Sequence, residues 1–511
     1  MKNVNLKCLF AASEVAGFAK TGGLADVAAS LPQAMTERGL ECAVVMPLYR
    51  ACRTGSQPLR PTDHVFRVPI GDRIIEGRLW QSTLPGSNVP VYLIEQPDFF
   101  ERDDPATGHG IYQFTSATGQ KSDYPDNCAR YGFFARAIIE AMHLLHFWPD
   151  ILHLNDWQTG LAAVYLRELY QPGASRERRA KYEQIRTVFT IHNLAYQGVF
   201  SHLELQTLGL PWRLYNFDKL EFYGKINFMK AGIVYADLIT TVSPTYAREI
   251  RTSLLGCGLH GVLMQRGQKL HGIVNGIDER VWNPATDSLI PAHYDASSLS
   301  EGKARCKDAL QRHFELDVNP RTPLLGTVSR LAGQKGFDLL TKSAPAFLKD
   351  GVQLVVLGDG EKIYRDMLIK LQQDFPGQVG LSLGLSEPLA HLIEAGADAF
   401  VMPSQYEPCG LNQLYSLKYG TIPIVRATGG LADTVVDATP ENLAQGRATG
   451  FAFVTYAPTS FAEAVRRCLT MYRDQPGQWR QTQQAGMNQD WSWSRSAAEY
   501  ERLYRAMLQE I

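Results

Sequence analysis

The chain has 511 residues, 45% of them hydrophobic and 20% charged, with a formal net charge of −1 at pH 7. That length exceeds one ordinary core and implies two large domains, and the charge balance provides no global attraction to nucleic acid or an anionic membrane. No apolar run approaches the roughly 18 residues that span a bilayer, and no signal peptide is visible in Met1–Phe10. Eight scattered cysteines without a C-x-x-C spacing fit a reduced, cytoplasmic setting better than a disulfide framework or a structural zinc site.

Short apolar runs alternate with amphipathic stretches along the chain. The pattern predicts a strand at Lys7–Ala12, a helix at Leu24–Arg38 and a strand at Cys42–Met46. An antiparallel patch follows at Val65–Trp80, then a strand at Val91–Ile94 and a polar surface loop over Glu101–Asp126. Regular alternation resumes with helix Ala129–Leu145, strand Ile151–Leu154, helix Gly160–Tyr170, strand Thr187–Ile191, strand Leu238–Val242 and helix Pro244–Thr252. The glycine-rich stretch Leu255–His271 reads as a linker. Beyond it, strands at Leu324–Ser329, Gln353–Leu357, Leu381–Leu383, Ala399–Met402 and Ile422–Val425 are separated by helices. Such alternation predicts two doubly wound parallel sheets, with ligands at the carboxyl ends of the strands. The expected boundaries are 1–256, 257–490 and a last helical segment at 491–511 that includes Ala497–Gln509.

The hexapeptide Thr-Gly-Gly-Leu-Ala-Asp occurs twice, at Thr21–Asp26 and Thr428–Asp433. Each copy opens a helix after a strand and can offer backbone N–H groups to an anion. Lys20 precedes the first copy, where Ala427 precedes the second. Gly22 and Gly23 would let a ligand approach the backbone closely. A dinucleotide fingerprint is absent: Gly17 and Gly22 have the wrong spacing, and the second strand ends in Met46-Pro47 without an acid. Hydride transfer is therefore disfavoured.

Several strand ends carry chemistry. Asn155-Asp156-Trp157 follows one strand and offers a carboxylate and an indole to a sugar, although Asp156 could equally cap the next helix. His192 directly follows another strand. Arg330 and Lys335 leave a third strand as two cations suited to a diphosphate. No D-x-D sequence occurs, so a metal-bridged diphosphate lacks its commonest carboxylate pair, and protein cations must neutralise the leaving group. Gly358 sits in a tight turn after a fourth strand. The densest signal is Ser404–Asn412: Glu407 is presented in a loop, Pro408 restrains it, and Gly410, Leu411 and Asn412 open a helix with free N–H groups. Cys409 has no neighbouring base and reads as a packed small side chain.

Lys20–Asp26 resembles the N-terminal signature of bacterial glycogen synthases and plant starch synthases, and Glu407–Leu411 resembles their C-terminal signature. Asn155–Trp157, Thr190–Asn193, Val274–Asp278 and Arg330 with Lys335-Gly336 match in order between them. The resemblance implies a GT-B fold, α/β, of two Rossmann-like doubly wound domains facing across a deep cleft, with a C-terminal helix crossing back to the first domain. It implies retaining transfer of glucose from ADP-glucose to the 4-OH end of an α-1,4-glucan, without metal or other cofactor. It assigns Lys20, Gly22 and Gly23 to the donor phosphates, and Arg330 and Lys335 to the departing diphosphate. Gly410, Leu411 and Asn412 would bind that group through N–H groups, Glu407 would hold the glucose hydroxyls, and Asp156, His192 and Asn275 would line the reaction centre. Ion-pair-like front-face return is the family expectation; double displacement through Asp156 or Glu407 stays open. One departure is Leu385, where the family usually has an aromatic residue against adenine. UDP-glucose therefore remains an alternative donor, and a small sugar acceptor, as in a sucrose or trehalose synthase, is a separate alternative.

Overall fold

The computed structural model describes residues 5–102, 110–116 and 121–509. The chain forms two compact units, one of 1–242, 247–273 and 493–511, and a second of 243–246 and 274–492.

The first unit is built on nine strands: β1 (Lys7–Ala11), β2 (Glu41–Pro47), β3 (Arg60–Ile70), β4 (Arg73–Thr83), β5 (Pro90–Glu95), β6 (Ile151–Asn155), β7 (Arg186–Ile191), β8 (Leu238–Thr241) and β9 (Leu270–Gly272). Their spatial order is β9-β8-β7-β6-β1-β2-β5-β4-β3. Seven strands pair in parallel, while β3 and β4 form an antiparallel hairpin at one edge. β1, β6 and β7 are almost wholly buried, as strands covered on both faces must be. The chain winds one way from β1 to β2 and the other way from β6 onward, so β1 and β6 flank a topological switch point. Phe10 lies opposite His153 and Asn155 opposite Thr190, which brings the carboxyl ends of β1, β6 and β7 to one level.

The second unit carries six parallel strands: β10 (Leu324–Val328), β11 (Gln353–Gly358), β12 (Val379–Leu383), β13 (Ala399–Met402), β14 (Ile422–Arg426) and β15 (Phe451–Phe453). Their order is β12-β11-β10-β13-β14-β15, with the switch point between β10 and β13. Alternate residues feed opposite cores: Leu354 and Val356 join one cluster, Val355 and Leu357 the other. A doubly wound sheet requires this division, because helices cover both faces.

Three sequence expectations are corrected. Leu255–His271 is no linker, for it holds helix His260–Gln265 and the turn Gly267–Lys269, and runs into β9. Elements of three to six residues are too short to display a period, and their glycines mask them. Helix Gly160–Tyr170 is instead an α-helix, Trp157–Tyr165, that passes into a π-helical turn, Leu166–Tyr170. The loop assigned to Glu101–Asp126 contains a small hairpin, Gln113–Thr115 with Lys121–Asp123, among its described residues; 103–109 and 117–120 lie outside them.

The last helix, Trp493–Gln509, buries Trp493, Ser496, Ala497, Tyr500 and Tyr504, a stripe at helical spacing. Within the first unit Arg38 Nε donates to Glu501 Oε2 at 2.8 Å. The Tyr504 hydroxyl meets His153 Nδ1 at 2.6 Å, and Thr190 Oγ1 meets His153 Nε2 at 2.5 Å. Burial first, then His192, pushes His153 down to about 3, so the ring is neutral and can donate at one nitrogen and accept at the other. Tyr504→Phe leaves one of those buried nitrogens without its partner. A loss of about 1–3 kcal/mol is expected, read as a lower urea midpoint at unchanged slope.

Candidate active site

The first unit gathers its polar residues at the β1/β6 switch point. After β1 come Ser13 and Glu14, both buried. Glu14 is a hub for donors. Its Oε2 accepts from the backbone N–H of Thr21 and, at 3.2 Å, of Gly22. Its Oε1 accepts from Thr21 Oγ1 at 2.7 Å and from the Tyr112 hydroxyl at 2.6 Å. The first hexapeptide thus already holds an anion, supplied by the chain itself. Lys20, exposed at the lip, pairs with Asp26 of the same hexapeptide at 2.6 Å. A Cβ added to Gly22 would meet nothing within 4 Å, so the space above the loop is open.

Asp156 follows β6 in a backbone conformation, φ 55° and ψ −178°, that only glycine visits easily. Such strain costs roughly 1–3 kcal/mol and is held by Asp156 N–H donating to Thr190 O at 2.9 Å. The carboxylate does not cap the following helix. It accepts from the His192 N–H at 2.8 Å instead. Burial raises its pKa from 3.8 to about 7, more than the N–H groups of His192 and Asn193 pull it down, and the nearby Glu14 charge adds to the rise. Asn155 ties the strands together: Nδ2 donates to Ala11 O at 3.0 Å, and Oδ1 faces His192 Nε2 at 2.9 Å. His192 is lowered to about 3 by desolvation, although part of its surface meets solvent, and is therefore a neutral hydrogen-bonding group. Trp157, read from sequence as a sugar platform, is buried against Tyr131 and Phe200 and serves the core.

The second unit places its chemistry at the β10/β13 switch point. Arg330 leaves β10 at an exposed position. Lys335 follows on a one-turn helix, Gly333–Lys335, and Gly336 ends that turn at φ 76°. A Cβ at Gly336 would lie 2.0 Å from Pro403 O, so only glycine lets the Lys335 turn approach the loop after β13. Lys335 Nζ consequently reaches Glu407 Oε2 at 2.6 Å, and Ser404 Oγ donates to the same oxygen at 3.1 Å. Glu407 is 6% exposed. The backbone N–H groups of Gly410, Leu411 and Asn412 find no acceptor among the described residues. Asn412 Nδ2 donates to Val328 O at 2.5 Å, which fixes the start of the helix to the end of β10.

Asn275 is buried, and its Oδ1 has no partner among the described residues. Cys409 is pushed up to about 12 by burial, which makes the thiol inert. Gly358 needs its missing side chain for packing, since a Cβ would lie 1.9 Å from Ser329 O. Leu385 is 96% exposed, just past Gly384, whose N–H donates to Gly358 O at 3.1 Å. With Leu383 also exposed two residues before it, this apolar strand end suits contact with a flat apolar ligand.

Glu14 and Tyr112 were missed from the sequence. The strand-end rule that selected Asp156 and His192 applies equally to Glu14. Tyr112 gives no signal, because it reaches Glu14 from a segment without periodicity.

Comparison with known proteins gives a consistent result. The family profile described as starch synthase catalytic domain matches residues 7–265, and that of glycosyl transferases group 1 matches 309–485. A glycogen synthase from Syntrophotalea carbinolica is 46% identical over 98% of each chain. One from Thioalkalivibrio sulfidiphilus is 48% identical over 98% of this chain and all of its own. The catalytic domain of starch synthase IV from Arabidopsis thaliana, solved with ADP and acarbose, superposes with a TM-score of 0.88 at 34% identity, covering 99% of this chain and 100% of that one. A sucrose-phosphate synthase from Thermosynechococcus elongatus, 16% identical with a TM-score of 0.56 over 99% and 100% of the two chains, shares the fold.

Asp156 and His192 act oppositely on stability with pH, so the wild-type curve alone would blend them. Between pH about 4 and 7 the folded chain keeps the Asp156 proton that the unfolded chain releases, and the Asp156 contribution falls as pH rises. Relative to Asp156→Asn, the wild type should lose up to roughly 1.4 kcal/mol per pH unit in that window. Urea melts of both proteins at pH 4.5 and 7.5 measure it; parallel changes would contradict the raised Asp156.

Proposed function

The chain belongs to the glycogen and starch synthase family of glycosyltransferases, and from that premise we propose that it transfers glucose from ADP-glucose to the non-reducing 4-OH end of an α-1,4-glucan with retention of configuration. The observation that carries this reading is the Lys335–Glu407 pair beside three unpartnered N–H groups at one switch point. An anion site and a hydroxyl acceptor adjoin there, as a sugar linked to a diphosphate requires.

In this reading the diphosphate is seated on the N–H groups of Gly410, Leu411 and Asn412, with Lys335 and Arg330 neutralising charge as the glycosidic bond breaks. These cations take the place of a metal, and the reaction uses no cofactor. Glu407 accepts from glucose hydroxyls while its other interactions fix Lys335, so one carboxylate aligns sugar and leaving group together. The orphan Oδ1 of Asn275 gains a hydroxyl donor when sugar binds, since leaving it buried and unpaired costs about 1–3 kcal/mol. Neutral His192 and the strained Asp156 serve the sugar and reaction centre. Lys20, Gly22 and Gly23 act on the donor phosphates, which requires Lys20 to exchange Asp26 for phosphate. Leu385 covers part of the adenine. No helix among the described residues is long and apolar enough to cross a membrane, and all eight cysteines are free thiols; we place the reaction in the cytoplasm.

The exposed aliphatic Leu385 favours one second reading, use of UDP-glucose. A side-by-side assay of the two donors with glycogen decides. Nucleotide release is expected to be faster with ADP-glucose and to rise with maltooligosaccharide length, and faster turnover of UDP-glucose would overturn the donor assignment. Glu407→Gln should lower kcat by about 10² to 10³ with the melting temperature little changed; near-normal turnover would remove Glu407 from its role.

A further inference from the structure

A cavity of about 300 Å³ opens on the first unit, bordered by β3, helix Asn127–Leu144, the π-helical turn Leu166–Tyr170 and helix Arg176–Gln184. It lies away from the chemistry, since β2, β5 and β4 stand between β1 and β3 in the sheet. Its wall carries three guanidinium groups, Arg67, Arg136 and Arg178, against one carboxylate, Glu140.

The three arginines are not equivalent. Arg67 is exposed and already paired with Glu76 at 2.8 Å. Arg178 is exposed and makes no ion pair among the described residues. Arg136 is only 7% exposed. Its Nη2 donates to Leu208 O at 2.9 Å and its guanidinium lies 4.5 Å from the centre of the Tyr165 ring, yet its Nε has no partner and no carboxylate pairs with it among the described residues. Glu140, one turn along the same helix, instead accepts from the Tyr170 hydroxyl at 2.6 Å. Holding a buried cation without a paired anion is expensive, by several kcal/mol. The Leu208 carbonyl and the Tyr165 ring meet part of that cost, and the Nε donor is left over. A π-helical turn of this kind is uncommon in helices and frequent at functional sites, and here it carries Tyr170 to the cavity wall.

We propose that this pocket binds a small molecule through a phosphate group, with Arg136 and Arg178 matching its charge and Tyr170 and Tyr182 bordering whatever the phosphate carries. The volume is at the lower end for small-molecule sites and fits one sugar-sized ligand. A guanidinium pair suits phosphate because its donors form a planar fork. The site is independent of the glucosyltransfer reading and would stand if that reading failed.

The test is calorimetric titration of the full chain with inorganic phosphate and, separately, with glucose 1-phosphate, in saturating ADP so that the nucleotide site is filled. Saturable binding is expected, weakened at least tenfold by Arg178→Ala and, to a smaller extent, by Arg67→Ala. Both residues are exposed, so neither variant should compromise folding, and glucosyl transfer without added phosphate should be unchanged. Tighter binding of glucose 1-phosphate would assign the occupant as an ester, and equal affinity would assign it as the free anion. Absence of saturable binding of both probes, or affinity unaltered in Arg178→Ala, overturns the proposal.

Discussion

Parallel strands cannot be joined by tight turns, and the crossovers that join them are right-handed. A doubly wound sheet must therefore reverse its winding once, and at that point the loops from two neighbouring strands diverge and leave a crevice. The chemistry described above depends on this constraint. In the first unit the crevice lies between β1 and β6 and receives Glu14, Asn155 and Asp156, with His192 from the next strand. In the second it lies between β10 and β13 and receives Arg330, Lys335 and Glu407. Residues far apart in the chain meet because their strands end side by side at one level.

Charge in both crevices is satisfied internally. Glu14 occupies the N–H groups of the first glycine loop, Lys20 pairs with Asp26, and Lys335 pairs with Glu407. An anion arriving at either crevice must therefore displace a partner already in place, and its net gain is smaller than a count of contacts would suggest. The N–H groups of Gly410–Asn412 and Oδ1 of Asn275 are left without partners among the described residues, so a ligand reaching them would add interactions without breaking any. Asp156 adds backbone strain at the carboxyl end of β6.

The repeated hexapeptide shows how one local solution takes two roles. In the first copy, Thr21 and Gly22 grip Glu14, and Asp26 holds Lys20 at the surface. In the second, Gly429 and Gly430 pass beneath the Glu407 loop so closely that a Cβ would fall within 2.0 Å of the carbonyls of Glu407 and Cys409. Its Asp433 accepts from Ser243 Oγ and from the N–H and hydroxyl of Thr245, the latter two at 2.9 and 2.6 Å. The same glycines serve anion capture in one place and close packing in the other, and the residue before them, Lys20 or Ala427, marks the difference.

Apolar periodicity determined the fold class and most strands, because strands such as Ala399–Met402 are short apolar runs bounded by polar turns. It also singled out Asp156, His192, Lys335 and Glu407 as groups presented beyond strand ends, which is where the structure places them. Elements too short to show a period escaped: β9, β15 and the hairpin around Gln113 exist only because a neighbouring strand offers them hydrogen bonds. The tertiary structure alone decided what each polar group touches. Trp157 faces a core of rings, Gly358 makes room for a carbonyl, and Glu14 and Tyr112 meet across 98 residues of sequence. Sequence specifies which groups a strand end presents; partner and burial depend on what the rest of the chain packs around them, and those set charge, pKa and availability.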